Sequence, residues 1–61
     1  MNETNKFYDA YGGTIQAFIN SDGLIQIATF NNPEPSPDQA IEFAKQLTEL
    51  AQGVKNEDRR A

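Results

Sequence analysis

Residues 14–30 constrain this chain more than any other stretch, because apolar and polar side chains alternate on both sides of a single turn sequence. The run TIQAFINSDGLIQIATF is rich in Thr, Ile and Phe, and Ser21-Asp22-Gly23 stands near its centre. Alternation bounded by turn-forming residues is typical of a β-hairpin. The sequence therefore predicts two antiparallel strands joined by a tight loop.

The loop length follows from the register that brings apolar side chains together. A two-residue loop, Asp22-Gly23, mixes the two faces, whereas a three-residue loop places Ile19 opposite Ile25. Gly23 then occupies the position where a type I turn with a bulge requires a left-handed residue. In this register one face is almost wholly apolar and consists of Ile15, Ala17, Ile19, Ile25 and Ile27.

The opposite face of the hairpin, called the second face below, mixes polar residues with large apolar ones. Its members are Thr14, Gln16, Phe18, Asn20, Leu24, Gln26, Ala28 and Phe30. A sheet face that contacts water is normally polar. Phe18, Leu24 and Phe30 are therefore candidate interface residues, either for a second copy of the chain or for another protein.

The segment Ser36-Pro37-Asp38-Gln39 predicts the start of a helix. Ser36 can cap the free amides, Pro37 suits the first helical position, and Gln39 completes a capping box. We expect the helix over 37–52, followed by Gly53 as a left-handed residue. Its apolar stripe predicts the side packed on the sheet and comprises Ala40, Phe43, Ala44, Leu47, Leu50, Ala51 and Val54. A helix that inserts this stripe into a groove of another protein is the alternative.

The remaining segments complete the predicted fold. Residues 31–37 contain three prolines and predict a stiff connector that returns the chain across the sheet. Phe7–Tyr11 either forms a short third strand or extends the first strand through a bend at Gly12-Gly13. Residues 1–6 are polar, and we expect them to be frayed.

These elements predict an α+β fold, a small ββα unit with a hairpin over 14–30. The helix is expected to lie across the apolar face that includes Ile15 and Ile27. We expect one domain over 1–54 and a disordered charged tail over 55–61.

A chain of 61 residues buries little surface and needs additional stabilisation. The sequence has no cysteine and no histidine, which excludes disulfides and the common zinc sites and leaves oligomerisation. We expect no metal and no cofactor. The lack of cysteine fits a reducing cytoplasm.

Charge and hydropathy exclude two further classes of partner. The formal net charge of −4 argues against binding to nucleic acid, whose phosphates require basic patches. No apolar run is long enough for a membrane span, and the first residues lack the features of a secretory signal. We expect a cytoplasmic protein that binds neither nucleic acid nor membrane.

Side chains suited to catalysis are scarce, because the usual general base and thiol nucleophile are missing. Tyr8, Asp9 and Tyr11, beside Gly12-Gly13, form the one cluster whose residue types suit more than folding. Aromatic rings with polar tips are favoured at protein interfaces. We therefore expect no catalytic residue and add Tyr8 and Tyr11 to the candidate interface.

The sequence favours a small non-enzymatic, homodimeric protein-binding module, a regulator or inhibitor that acts on another protein. Small acidic chains of this build are common among accessory proteins of phages and mobile elements. We expect two second faces to pair in the dimer; edge-to-edge pairing with Tyr8 and Tyr11 at the junction is the competing geometry. The alternative function is sequestration of a small ligand or nucleotide at a subunit junction, which requires Lys6 or Arg59-Arg60 near the tyrosines.

Overall fold

The structure, a computed structural model, describes the backbone of residues 2–60 and the side chains of residues 2–57. It contains the strands β1 (Phe7–Tyr8), β2 (Thr14–Ile19) and β3 (Ile25–Phe30), followed by the helix α1 (Pro37–Arg60). The strands form an antiparallel sheet in the order β1-β2-β3, and α1 packs against β2. The predicted α+β class is confirmed, and residues 7–8 form a separate third strand.

The hairpin has the register predicted from its apolar face. Ile19 pairs with Ile25, Ala17 with Ile27, and Ile15 with Thr29. The loop is closed by Asn20, whose side-chain Oδ1 accepts hydrogen bonds from the backbone N–H groups of Asp22 and Leu24. Gly23 has a φ of 78°, the left-handed conformation that the three-residue loop requires.

The N-terminal residues contradict the expectation of a frayed segment. Glu3 forms a β-bridge with Phe18, and the N–H of Ile19 donates to the carbonyl of Asn2 at 3.1 Å. The Thr4 hydroxyl accepts from the N–H of Ala17 at 3.0 Å and takes the place of a backbone acceptor. Residues 2–8 thus follow β2 along its length, because polar groups can pair with a strand without any apolar alternation.

The helix begins as predicted. The N–H of Gln39 donates to Ser36 Oγ at 3.2 Å, and the N–H of Ser36 donates to Gln39 Oε1 at 3.0 Å. These two reciprocal bonds form the capping box. The side-chain Nε2 of Gln39 also donates to the carbonyl of Tyr8 at 2.8 Å, so this residue joins the start of the helix to β1.

The predicted end of the helix is wrong. The helix continues past Gln52 to Arg60, and Gly53 lies inside it rather than after it. Glycine adopts the helical as well as the left-handed backbone conformation, so Gly53 alone does not show where the helix ends. The helix covers most of the segment 55–61, for which we predicted disorder. Its 24 residues span about 36 Å, and its C-terminal turns extend beyond the six-residue strands of about 20 Å.

The core lies between α1 and the β1–β2 side of the sheet. Ala17 and Leu50 are the buried apolar residues of the described chain, with exposed fractions of 0% and 1%. Phe7 packs edge-on against Phe43 with the ring centroids 5.9 Å apart. Gln46 holds the helix to the N-terminal segment, because its Oε1 accepts the backbone N–H of Asn5 at 2.8 Å.

The helix therefore does not cover the whole apolar face as predicted. Ile27 on β3 is 51% exposed, although Ala17, with which it pairs on β2, is buried. Three residues of the predicted helix stripe are also exposed, namely Ala40, Ala44 and Ala51. Side-chain periodicity identifies the apolar face of each element but not the lateral position of the helix, which the contacts to residues 5–8 determine.

Candidate protein-interaction surface

The second face carries two exposed aromatic residues in one row across the sheet. Tyr8 pairs with Thr14, and Thr14 pairs with Phe30 on its other side. Paired residues in a sheet direct their side chains to the same face, so Tyr8 and Phe30 flank the small Thr14 side chain. Both aromatic side chains are largely exposed. The structure thus brings together two of the predicted interface residues from separate strands.

Phe18 and Leu24 lie at the other end of the second face. Phe18 lies four positions after Thr14 along β2, a distance of about 13 Å at the rise of a strand. Phe18 pairs with Glu3 on one side and with Gln26 on the other, and its side chain is half-buried. Leu24 is exposed beside the hairpin loop. These two residues and the Tyr8–Phe30 pair therefore form two separate apolar areas on one face.

The middle of the second face is polar. The side-chain amide of Gln16 donates to the carbonyl of Thr4 at 3.0 Å and to Glu3 Oε2 at 3.3 Å. These bonds hold Gln16 toward the N-terminal segment. A fixed, uncharged amide between two apolar areas gives this face the mixed character of many protein interfaces.

Tyr11 lies outside the sheet, in the turn between β1 and β2, and its side chain is exposed. The turn is held by Asp9, whose Oδ1 accepts hydrogen bonds from the N–H groups of Tyr11 and Gly13 at 2.8 and 2.7 Å. The carbonyl of Tyr11 in turn accepts the side-chain amide of Asn31 at 3.4 Å. Tyr11 thus lies at the same end of the molecule as the Tyr8–Phe30 pair but on a different element.

Asp9 also binds the connector between β3 and the helix. Its Oδ2 accepts the backbone N–H of Glu34 at 2.8 Å. The pKa of Asp9 lies below its ordinary value, chiefly because the N–H of Glu34, and then that of Gly13, stabilise the charged form. Asp9, which we grouped with the tyrosines as a candidate for function, is therefore a structural carboxylate.

The connector passes close to the β1–β2 turn. A Cβ atom on Gly13 would lie 2.6 Å from Asp9 Oδ2 and 2.8 Å from Pro33 Cα. Asn31 and Asn32 have φ values of 61° and 43°, so the chain reverses direction directly after β3. The absence of a side chain at residue 13 is therefore what allows the connector to cross here.

Sequence reasoning missed three exposed features. Ile27 was expected beneath the helix, and Ile41 was not considered as an interface residue, yet both are exposed. The third feature is the outer edge of β3, which has a strand neighbour on one side only in the described part of the chain. The absence of any charge or proline in the sequence IQIATF was an available indication that this edge is suited to pairing.

Comparisons of the chain with protein-family models, with curated proteins and with solved structures find no match. The described residues enclose no pocket. Within the same residues, no helix has the length and apolar character that crossing a membrane requires.

Proposed function

We propose that this chain is a small non-enzymatic, homodimeric protein-binding module that regulates or inhibits another protein through its second face. The observation that carries the proposal is the exposed row formed by Tyr8, Thr14 and Phe30. Two aromatic side chains from different strands are held there as neighbours by backbone pairing. They need no rearrangement to contact a partner, which reduces the entropy cost of binding.

The chemistry of this row favours a protein partner. Tyr and Phe bury a large area in few rotatable bonds, and Tyr is enriched among the residues that dominate interface energies. Burying one such side chain contributes about 1.5–3 kcal/mol. Thr14, Gln16 and Gln26 supply uncharged polar groups around the aromatic rings, as expected for an interface whose core lacks charge.

The carboxylate that follows Tyr8 in sequence is poorly suited to catalysis, which supports a non-enzymatic role. Asp9 accepts backbone hydrogen bonds on both carboxylate oxygens, and its pKa is lowered. A carboxylate with these partners is a poor general base at neutral pH, because its proton affinity is reduced. No histidine or cysteine is present in the sequence to replace it.

Sequestration of a small ligand is less well supported. The described residues enclose no pocket, so a ligand would need a second subunit to form its site. That alternative also requires a cation near the tyrosines. Lys6 lies two residues before Tyr8, whereas the helix spans about 30 Å between Gln39, which contacts Tyr8, and Arg60. The side chains of Arg59 and Arg60 lie outside the described residues.

The test is quantitative affinity capture from a lysate of the native host, followed by calorimetry with the purified captured protein. Tyr8→Asp places a charge in the aromatic row, and Tyr8→Phe keeps the ring. Ile41→Asp is the matched control, because Ile41 is 69% exposed and Tyr8 61%, but Ile41 lies on the helix. We expect Tyr8→Asp alone to weaken binding by at least about tenfold, the loss of a single buried ring. Equal affinity of wild type and Tyr8→Asp would contradict the proposed surface.

A further inference from the structure

The outer edge of β3 presents a regular row of free backbone groups. Ala17 exchanges its backbone hydrogen bonds with Thr4, whose N–H donates to the Ala17 carbonyl at 2.8 Å and whose hydroxyl accepts the Ala17 N–H. The amide groups of Ala17 therefore point away from β3. Because Ile27 is paired with Ala17, its own N–H and C=O point away from β2. By the same alternation, the backbone N–H and C=O groups of Ile25 and Thr29 also point to the outer edge.

The two edges of the sheet differ in their suitability for pairing. The N-terminal edge is interrupted between the Glu3 bridge and the two-residue strand β1, and it carries the charges of Glu3 and Lys6. The β3 edge has six consecutive strand residues with no charge and no proline. Exposed edges of this kind pair readily with another strand, whereas charges, prolines and short strands prevent pairing.

Apolar side chains accompany the free edge on the side of the sheet that carries the helix. Ile27 is half exposed there, and Ile25 lies on the same face. The contacts of Gln39 and Gln46 hold one side of α1 toward the N-terminal segment. A different side of the helix presents small exposed residues, namely Ala40, Ala44 and Ala51.

We infer that β3 pairs antiparallel with β3 of a second copy of this chain, with Ile27 opposite Ile27 of the partner subunit. This inference rests on the homodimeric part of the proposed function. It replaces the expected pairing of two second faces by edge-to-edge pairing through β3, at the edge opposite Tyr8. Centring the twofold axis on residue 27 overlaps residues 25–29 of the two strands and pairs Ile25 with the partner subunit's Thr29. The two three-stranded sheets become one sheet of six strands.

The same register covers exposed residues on the second face. Leu24 lies opposite the partner subunit's Phe30, and Gln26 lies opposite the partner subunit's Ala28. Leu24 and Phe30 are both largely exposed in the single chain. One Leu24–Phe30 pair therefore forms at each end of the junction, where the two side chains lie next to each other on the second face. Tyr8 lies on the strand farthest from this junction and stays available to a different protein.

The surface area of the chain is consistent with a missing partner. The accessible surface is 4632 Å², whereas a compact monomer of 6.8 kDa exposes only about 4,000 Å². The difference is comparable to the roughly 800 Å² that each protein contributes to a standard interface. Exposed side chains of β3, among them Ile27 and Phe30, contribute to it.

Charge does not oppose this arrangement at the junction. Each chain carries a formal charge of −4, but none of the charged residues belongs to β3. A second copy is the occupant that the β3 edge fits, because one antiparallel register pairs its uncharged strand with itself and Leu24 with the partner subunit's Phe30.

The register can be tested by disulfide formation, because the chain has no cysteine of its own. Gln26 and the partner subunit's Ala28 form a non-hydrogen-bonded pair, in which Cα atoms lie about 4.5 Å apart, within disulfide reach. Equal amounts of Gln26→Cys and Ala28→Cys chains are mixed under denaturing, reducing conditions, refolded and oxidised. We expect the mixed disulfide to exceed both symmetric disulfides well beyond the share that random pairing gives.

Other dimers would not give this product. Two sheets packed face to face lie about 10 Å apart, too far for these cysteines to join. A wild-type dimer without the preferred mixed disulfide would overturn the β3 pairing while leaving the homodimer intact. A wild-type monomer would overturn both. The capture experiment with Tyr8→Asp is independent of both the disulfide result and the dimer mass, since Tyr8 lies on the strand farthest from β3.

A backbone variant tests the same edge independently. Ile27→Pro removes the N–H that faces the partner but no hydrogen bond to β2, and Ile27→Val is the control that keeps the N–H with a side chain of similar size. By sedimentation equilibrium, we expect Ile27→Pro to weaken dimerisation by at least about tenfold relative to Ile27→Val. Circular dichroism verifies that both variants fold. Equal dimerisation of the two folded variants would contradict the proposed pairing.

Discussion

Asp9 Oδ2 accepts the backbone N–H of Glu34, which lies 25 residues further along the chain, at a distance of 2.8 Å. The other oxygen of the same carboxylate holds the turn between β1 and β2 through the N–H groups of Tyr11 and Gly13. One side chain therefore fixes the turn and the connector to each other. This arrangement fixes the connector that leads into the helix beside the turn that follows Tyr8.

The first prediction concerns acid. The hydrogen bonds lower the pKa of Asp9 only in the folded chain, below the ordinary value of 3.8. Their contribution to stability is therefore fully present above the unfolded pKa and is lost as the pH falls through the folded pKa. We expect Asp9→Asn to lower the Tm near neutral pH and to approach wild type only as the pH falls below 3.8, through the folded pKa. Thermal unfolding at fixed concentration measures this, and a constant Tm difference at all pH values would contradict it.

The second prediction concerns the crossing at Gly13. A Cβ atom there meets Asp9 Oδ2 at 2.6 Å and Pro33 Cα at 2.8 Å, and neither neighbour is free to move. Gly13→Ala should destabilise the protein by about 1–3 kcal/mol, as overpacking does. Gly53→Ala is the matched control, because no atom lies within 4 Å of its added Cβ and it is inside the helix. The control should gain about 0.5–1 kcal/mol. The free energies of unfolding are measured with denaturant, and similar changes for both variants would contradict a close crossing at Gly13.

The third prediction concerns the helix cap. Ser36→Ala removes the acceptor of the Gln39 N–H and should cost about 0.5–2 kcal/mol. Ser36→Asp keeps an acceptor and should retain most of the stability. If the free energy of unfolding is the same for Ser36→Ala and wild type, the box does not stabilise the helix.

The fourth prediction concerns the hairpin loop. Gly23 has a φ of 78°, which a β-branched residue adopts only with strain. Gly23→Val should destabilise by on the order of 1–2 kcal/mol, whereas Gly23→Asn should cost less, because Asn tolerates the left-handed region. Equal stability of the Val and Asn variants would argue against the loop conformation.

The hairpin register could be predicted because the alternation of apolar and polar residues is compatible with only one strand pairing. Only the pairing of Ile19 with Ile25 places the isoleucines on one face, and Gly23 supports the loop that this pairing needs. The capping box was predictable for a similar reason. Ser36 and Gln39 satisfy each other locally, without reference to the rest of the fold.

The rest depends on contacts that have no periodic pattern. Thr4 pairs with Ala17 through its hydroxyl, and Gln46 holds Asn5, so polar residues far apart in sequence position the N-terminal segment and the helix. Their effect is to place α1 over β1 and β2 and to leave Ile27 exposed. That the chosen residues form an interaction surface stays a prediction. Their arrangement could not be predicted from the sequence, because the pairing of Tyr8 with Thr14 follows from a strand of only two residues.

The mass of the wild-type chain in solution tests the central claim, assembly into a homodimer, most directly. Sedimentation equilibrium across the micromolar range, combined with thermal unfolding at each concentration, measures both assembly and its coupling to folding. We expect a species of twice 6.8 kDa whose Tm rises with concentration. A 6.8 kDa monomer that unfolds cooperatively, with a Tm independent of concentration, would contradict the claim.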